Sequence, residues 1–309
     1  MEGIEMKSMF ICVMISVLSI CCKKDENNSQ LHRFQGTLLI DGWERTYLVN
    51  LPPTYYSNNV SRPLVLALHG TGGSASQFEK DYSFTEKANR ENFVVVYADG
   101  IRKQDGPFGI RTWNAGSCCD YAAYANIGDT RFLSTLIDSC SNRFNIDKKR
   151  VYVTGMSNGS MMAYRLAAEI PDKIAAIACV SGNMVFMKDP ARKAAVPLLH
   201  IHSMIDTKVP FNGGTGLGNY HFPPAMEGIH YFAAQNACDT NSTEEIFDGY
   251  VKRYWKNGTG ATLVECYLTT DGGHSWPGAP THRPRADPPS ERIDANSMIW
   301  NFFKRFSLP

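Results

Sequence analysis

The chain has 309 residues, with 31 Lys plus Arg against 30 Asp plus Glu and a formal net charge of +1. With 43% hydrophobic and 20% charged residues it suits a folded globular protein and excludes a disordered or collagen-like one. The near-neutral balance, without a long basic run, argues against nucleic acid as the main partner. The length suits one large α/β domain able to fold without metals or disulfides.

The first feature is an uncharged run of 12 residues, 9–20 (MFICVMISVLSI), preceded by Lys7 and followed by Cys21, Cys22, Lys23 and Lys24. It is too short to span a bilayer and has the length of the apolar part of a signal peptide. Glu2 and Glu5 dilute the positive charge expected before it, and a start at Met6 would remove both. The run ends at cysteine, and CCKKDENN resembles a bacterial lipoprotein signal with Cys22 as the lipidated residue and Cys21 the alternative. A cleaved secretory signal without lipid is the plainer reading. Residues 1–22 thus read as signal and lipidation site, 23–33 as a polar tether, and 34–309 as one catalytic domain. Export makes disulfides plausible. The expected pairs are Cys238 with Cys266, and Cys118 or Cys119 with Cys140, while Cys179 in AAIACV reads as a buried thiol. The spacing itself does not fix connectivity.

In chain order, Asp41-Gly42 between FQGTLLI and WERTYLVNL predicts a hairpin. Strands are predicted at 64–69, 93–97, 151–154, 174–180, 197–202 and 262–269, and helices at 76–89, 130–142, 159–170, 225–237 and 292–306. This alternation predicts βαβ units and a mostly parallel central sheet with helices on both faces.

Gly155-Met156-Ser157-Asn158-Gly159 falls between the strand VYVT and the helix SMMAYRLAAEI. That strand–turn–helix context is the one in which G-x-S-x-G presents a nucleophile. Ser157 then needs a base to take its proton and a carboxylate to orient that base. Asp206 follows the strand PLLHIH and His274 follows the last strand, in the order Ser, acid, His of α/β-hydrolase sheets. Asp99, Asp129 and Asp271 are competing acids, with Asp129 read as a cap or loop anchor. The N–H groups of Asn158 and of Thr71, in the loop His69-Gly70-Thr71-Gly72-Gly73, are the expected oxyanion donors. His69 is an expected substrate contact. Neither a Walker lysine nor GxGxxG accompanies that loop, so phosphate binding is not expected. His200 and His202 share a strand face as a metal pair would, but no third ligand clusters with them; no metal and no cofactor are expected. The long loops 211–224 and 277–289 adjoin Asp206 and His274 and are expected to frame the cleft.

LALHGTGGSASQF, TWNAGSCC, VYVTGMSNGSMMAYRLA, HSMIDTKVPF and GGHSWPG, in that order, resemble the polyhydroxybutyrate depolymerase/feruloyl esterase group of α/β-hydrolases, which includes acetylxylan esterases of carbohydrate esterase family 1. The resemblance runs from about Phe34 to Phe306. It implies an α/β-hydrolase fold with Ser157 as nucleophile, Asp206 as acid and His274 as base, Trp113 and Trp276 lining the substrate cleft, and a Cys238–Cys266 disulfide. Two departures stand out. Ser160 occupies a position where glycine is common, and residues 126–131 replace a more usual acidic, Val-Gly-containing stretch. The function expected is a secreted or lipid-anchored serine esterase acting on feruloyl or acetyl esters of plant polysaccharide. Hydrolysis of polyhydroxybutyrate or its oligomers is the alternative. A non-catalytic polysaccharide-binding surface lipoprotein is the alternative of another class. The expected partners are an ester substrate and, through the lipid alone, a membrane.

Overall fold

A computed structural model of the chain describes residues 31–103, 109–186, 195–280 and 286–309. The expected lipidation site Cys22 lies outside them. The chain opens with the hairpin β1 (Arg33–Ile40) and β2 (Trp43–Asn50), turning through Asp41 and Gly42 at φ 51° and 79°. Positive φ at both central positions matches the strand twist and is why an Asp-Gly pair belongs there. There follow β3 (Arg62–Leu68), α1 (Ala75–Asp81), α2 (Phe84–Glu91) and β4 (Val94–Ala98). The single helix expected at 76–89 is two helices, because Ser83 sits at φ 50° and breaks the run. Ser74 caps α1 by accepting the N–H of Gln77 at 3.1 Å.

Next come α3 (Asp120–Tyr124), α4 (Asp129–Arg143), β5 (Ile146–Met156), α5 (Asn158–Glu169), β6 (Ala176–Val180) and β7 (Leu198–Ser203). A two-residue ladder, β8 (Gly214–Thr215) with β9 (His221–Phe222), precedes α6 (Ala225–Gln235). The chain closes with β10 (Thr243–Phe247), β11 (Tyr250–Lys256), β12 (Thr262–Thr269) and α7 (Ala295–Phe303).

The large sheet has ten strands in the order β1-β2-β4-β3-β5-β6-β7-β12-β11-β10. Strands β4, β3, β5, β6, β7 and β12 run parallel, and an antiparallel hairpin flanks each end. Parallel strands are buried on both faces, so they read as continuous apolar runs rather than alternating ones. In β3, Leu64, Leu66 and Leu68 join the core beneath α4, α5 and α6, while Val65 and Ala67 join the core beneath α1, α2 and α7. Ser157, Asp206 and His274, with the loop after β3, all follow the C-terminal ends of parallel strands, where open α/β sheets place functional groups. Among the described residues no helix is long and apolar enough to cross a membrane.

Candidate active site

β5 runs into α5 through one residue. Ser157 has φ 56° and ψ −121°, a left-handed backbone that a non-glycine residue holds only when its surroundings force it. The flanking glycines make room for that turn. A Cβ on Gly159 would fall on the carbonyl oxygen of Leu68, and one on Gly155 would fall on the backbone of Gly159. Close approach of α5 to β5 and β3 thus demands glycine at both positions. Gly70 is also tight, since a Cβ there would lie 3.2 Å from that of Ser157. Ser160, in the position where the resemblance favours glycine, is buried and donates its hydroxyl to Gly182 O at 3.2 Å. Residues 126–131 act on the neighbouring loop: Asp129 holds Arg45 at 2.6 Å and the N–H of Asn114 at 2.7 Å, all three buried.

His274 joins the two other residues singled out in the sequence. Its Nε2 lies 2.9 Å from Ser157 Oγ, and its Nδ1 lies 2.7 Å from Asp206 Oδ2. Gly272 and Gly273, both at positive φ, turn the chain sharply after β12 to bring the ring there. The competing acids are engaged elsewhere. Asp99 accepts from Ala75 N and Thr46 Oγ1, and Asp271 accepts from Ser290 and Glu291 N. Asp206 also accepts at Oδ1 from the N–H groups of Lys208 and Val209, each at 2.9 Å. Burial alone would push its carboxyl up, but bonds from His202 and His274 outweigh burial and hold it well below the usual carboxylate range. It is therefore an anion throughout the neutral range, suited to fix an imidazole tautomer and stabilise an imidazolium.

Thr71 borders Ser157 in the cleft, and Asn158 is the first residue of α5, where helical N–H groups lack intrahelical partners. Neither N–H donates to another group among the described residues. Two cavities meet at Ser157, each also bordered by Thr71 and Leu217. One of about 320 Å³ has mixed walls, with Gln77, Tyr82 and Lys208 beside Met156 and Ala286; the other, of about 270 Å³, is walled mainly by apolar groups of Ile110, Met161, Val209, Tyr220 and Phe222. Leu217, Tyr220 and Phe222 come from the loop 211–224, and Ala286 of the loop 277–289 borders the first cavity.

Trp113 and Trp276, expected to line the cleft, are 0% and 1% exposed, though Trp276 borders a small recess with His274, Tyr82 and Met156. Each indole finds a buried acceptor instead: Trp113 Nε1 donates to His69 O at 2.9 Å and Trp276 Nε1 to Asn296 Oδ1 at 3.0 Å. The side chain of Asn158 clamps the backbone of Trp113 from both sides, so TWNAG braces the nucleophile turn rather than meeting substrate. His69, expected at the substrate, is wholly buried; it accepts from Gly100 N at Nε2 and donates from Nδ1 to Gly70 O, tying two loops together.

The cysteine pairing also differs. Cys118 and Cys119 are joined to each other, leaving Cys140 a buried free thiol, as is Cys179. Cys238 and Cys266 are both free: Cys266 is buried within β12, while the Cys238 thiol, beyond α6, lies against the backbone of Asn236 and Leu263. Two contributors had no signal of their own in the sequence. Asp287 accepts the N–H of His274 at 2.7 Å and the Lys208 ammonium at 3.0 Å. His202, considered only as half of a metal pair, lies against Asp206 at 3.3 Å.

Comparison with known proteins decides the family. The profile described as esterase PHB depolymerase matches residues 45–223, more than half the chain. The chain belongs to the PHB depolymerase esterase family. It is accordingly an ester hydrolase with the α/β-hydrolase fold. This esterase is 27% identical to feruloyl esterase B of Piromyces equi over 270 residues, covering 83% of this chain and 44% of that protein. It is also 27% identical to poly(3-hydroxyalkanoate) depolymerase C of Paucimonas lemoignei over 238 residues, covering 70% of this chain and 55% of that one. The esterase thus spans about half the length of these two relatives. Among solved structures, an acetyl xylan esterase from Aspergillus awamori superposes with a TM-score of 0.59 at 15% identity, covering 88% of this chain and 99% of that one, a likeness of fold.

Proposed function

We propose that the protein is a serine esterase that hydrolyses carboxylic esters through an acyl-enzyme, with Ser157 as nucleophile, His274 as general base and acid, and Asp206 as the orienting carboxylate. The observation that carries this reading is the single His274 ring bridging Ser157 Oγ at 2.9 Å and Asp206 Oδ2 at 2.7 Å. His274 Nε2 takes the hydroxyl proton as Oγ bonds to the ester carbonyl carbon. The resulting oxyanion is received by the N–H groups of Thr71 and Asn158, each such donor typically worth about 3 kcal/mol. As the tetrahedral intermediate collapses, the ester C–O bond breaks and the alcohol leaves with the proton from His274. Water then repeats the sequence, giving up its proton to His274, and the carboxylic acid departs as Ser157 regains its hydrogen.

The two cavities at Ser157 support the choice of substrate. An almost wholly apolar space of about 270 Å³ beside a mixed one that offers Gln77, Tyr82 and Lys208 suits an ester between an apolar, aromatic-sized acyl group and a sugar hydroxyl. A polyester of one repeating unit presents the same chemistry on both sides of the scissile bond and suits that asymmetry less well. Acyl esters of plant polysaccharide, with feruloyl favoured over acetyl, are therefore the proposed substrates, residues 34–309 forming the catalytic domain. Turnover of methyl ferulate, acetylated xylan and hydroxybutyrate oligomers tests this. The highest kcat/KM is expected on ferulate; a preference for hydroxybutyrate oligomers would reject the substrate assignment.

The sequence before residue 31 supports export with a lipid on Cys22. Cys22→Ser is expected to release the protein from membranes, and unchanged membrane retention would contradict the anchor.

A further inference from the structure

His200 and His202 stand two residues apart on β7, so their rings project from the same sheet face. Both are buried, at 0% and 1% exposure. Among the described residues no group of three His, Cys, Asp or Glu side chains could hold a metal ion. The rings bond to each other instead, His200 Nε2 lying 3.0 Å from His202 Nδ1. Behind them the Tyr164 hydroxyl is 2.8 Å from His200 Nδ1. Ahead, His202 Nε2 is 2.8 Å from Val209 O and 3.3 Å from Asp206 Oδ2.

The Val209 carbonyl fixes the hydrogen at the front of this row. A carbonyl oxygen can only accept, so His202 Nε2 carries a hydrogen. In the neutral tautomer that carries this hydrogen, Nδ1 is an acceptor, which makes His200 Nε2 the donor. His200 in turn accepts at Nδ1, and Tyr164 donates its hydroxyl hydrogen. Burial and the neighbouring His202 hold the His200 pKa well below its ordinary value, so that ring stays neutral. The three donors point one way, and the last reaches the Val209 carbonyl at 2.8 Å with the Asp206 carboxylate 3.3 Å from the same nitrogen.

We propose that His202 is a positioning residue for the ester hydrolysis: its Nε2–H, held in place by His200 and Tyr164, fixes the Asp206 carboxylate in the orientation that receives His274. The proposal rests on the assignment of Ser157, His274 and Asp206 as the reacting set. Lys208 N and Val209 N hold Oδ1 of the carboxylate, but Oδ2 has His274 and His202 as partners. His202 also ties the turn carrying Asp206 back to β7 through Val209 O. Without it the carboxylate can swing about its Cβ–Cγ bond, and a displacement on the order of 1 Å near reacting groups costs up to about 100-fold in rate.

Two amide substitutions separate positioning from packing. In His202→Gln the side-chain nitrogen reaches about as far as Nε2, whereas in His202→Asn it reaches only as far as Nδ1. Rates are expressed per active site titrated with a fluorophosphonate, so misfolded chains do not count. H202Q is expected to keep kcat within about threefold of the parent, while H202N loses roughly 10- to 100-fold with KM within about twofold. Equal kcat in the two variants would overturn the proposal. Nitrogen-15 NMR of the histidine rings in the unsubstituted protein tests it without relying on any variant to fold. Both His200 and His202 are expected as Nε2–H tautomers, and an Nδ1–H tautomer at His202 would overturn it. Ser157→Ala distinguishes the two levels: inactive S157A with undiminished H202N sinks the positioning role alone, whereas fully active S157A sinks the underlying assignment.

Discussion

Lowering the pH from about 7 to about 5 should destabilise the protein through His200. The ring is wholly buried and burial depresses its pKa far below the ordinary 6.5, so the native state refuses a proton that the unfolded chain takes up. Stability from this group is complete above the unfolded value and falls as pH drops beneath it. One histidine that stays neutral in the native state while titrating at 6.5 in the unfolded chain costs about 2 kcal/mol over that range. Asp206 does not confuse the measurement. Its pKa is also depressed, but its contribution is lost only as pH falls through and below the ordinary 3.8, outside the window. Urea unfolding at both pH values, on the parent and on His200→Phe, isolates the effect. The variant is expected to be less stable at either pH, since Tyr164 and His202 lose a partner, but its loss between them should be smaller by about 2 kcal/mol. An equal pH-dependent loss in both proteins would refute the reasoning.

Gly159→Ala should place a methyl group on the Leu68 carbonyl, which as backbone cannot give way; a loss of about 3 kcal/mol or more is expected in thermal or urea unfolding. The same shift of α5 from β3 should lower kcat on p-nitrophenyl acetate by up to about 100-fold, and an unimpaired variant would contradict the packing argument. Arg45→Met strips the buried Asp129 carboxyl, whose pKa burial already raises, of its cation, at a cost of about 3–5 kcal/mol in urea unfolding. Arg45→Met combined with Asp129→Leu should recover part of that loss, and a double variant no better than the single would argue against a stranded carboxyl.

Much of the site's layout could be read from the sequence because each of Ser157, Asp206 and His274 directly follows an apolar strand, a local pattern. The glycines around Ser157 carried information for the same reason: a Cβ there meets backbone. Burial of Trp113, Trp276 and His69 was not legible, since their acceptors and donors, His69 O, Asn296 and Gly100, are brought to them by the fold. Cysteine connectivity likewise has no local signature. The edge hairpin β10–β11 turns through Asp248-Gly249, the same signal that located Asp41-Gly42. It escaped because its flanks TEEIF and YVKRYWK carry charges, as edge strands do to discourage further pairing. The break at Ser83 was hidden because serine, unlike glycine, gives no general warning of a left-handed backbone.

The most direct measurement is mass spectrometry of the esterase after reaction with a fluorophosphonate. One adduct per chain is expected, on Ser157, with ester hydrolysis falling in proportion to its formation. Full activity in completely modified protein, or loss of activity with the adduct on another residue, would contradict the account.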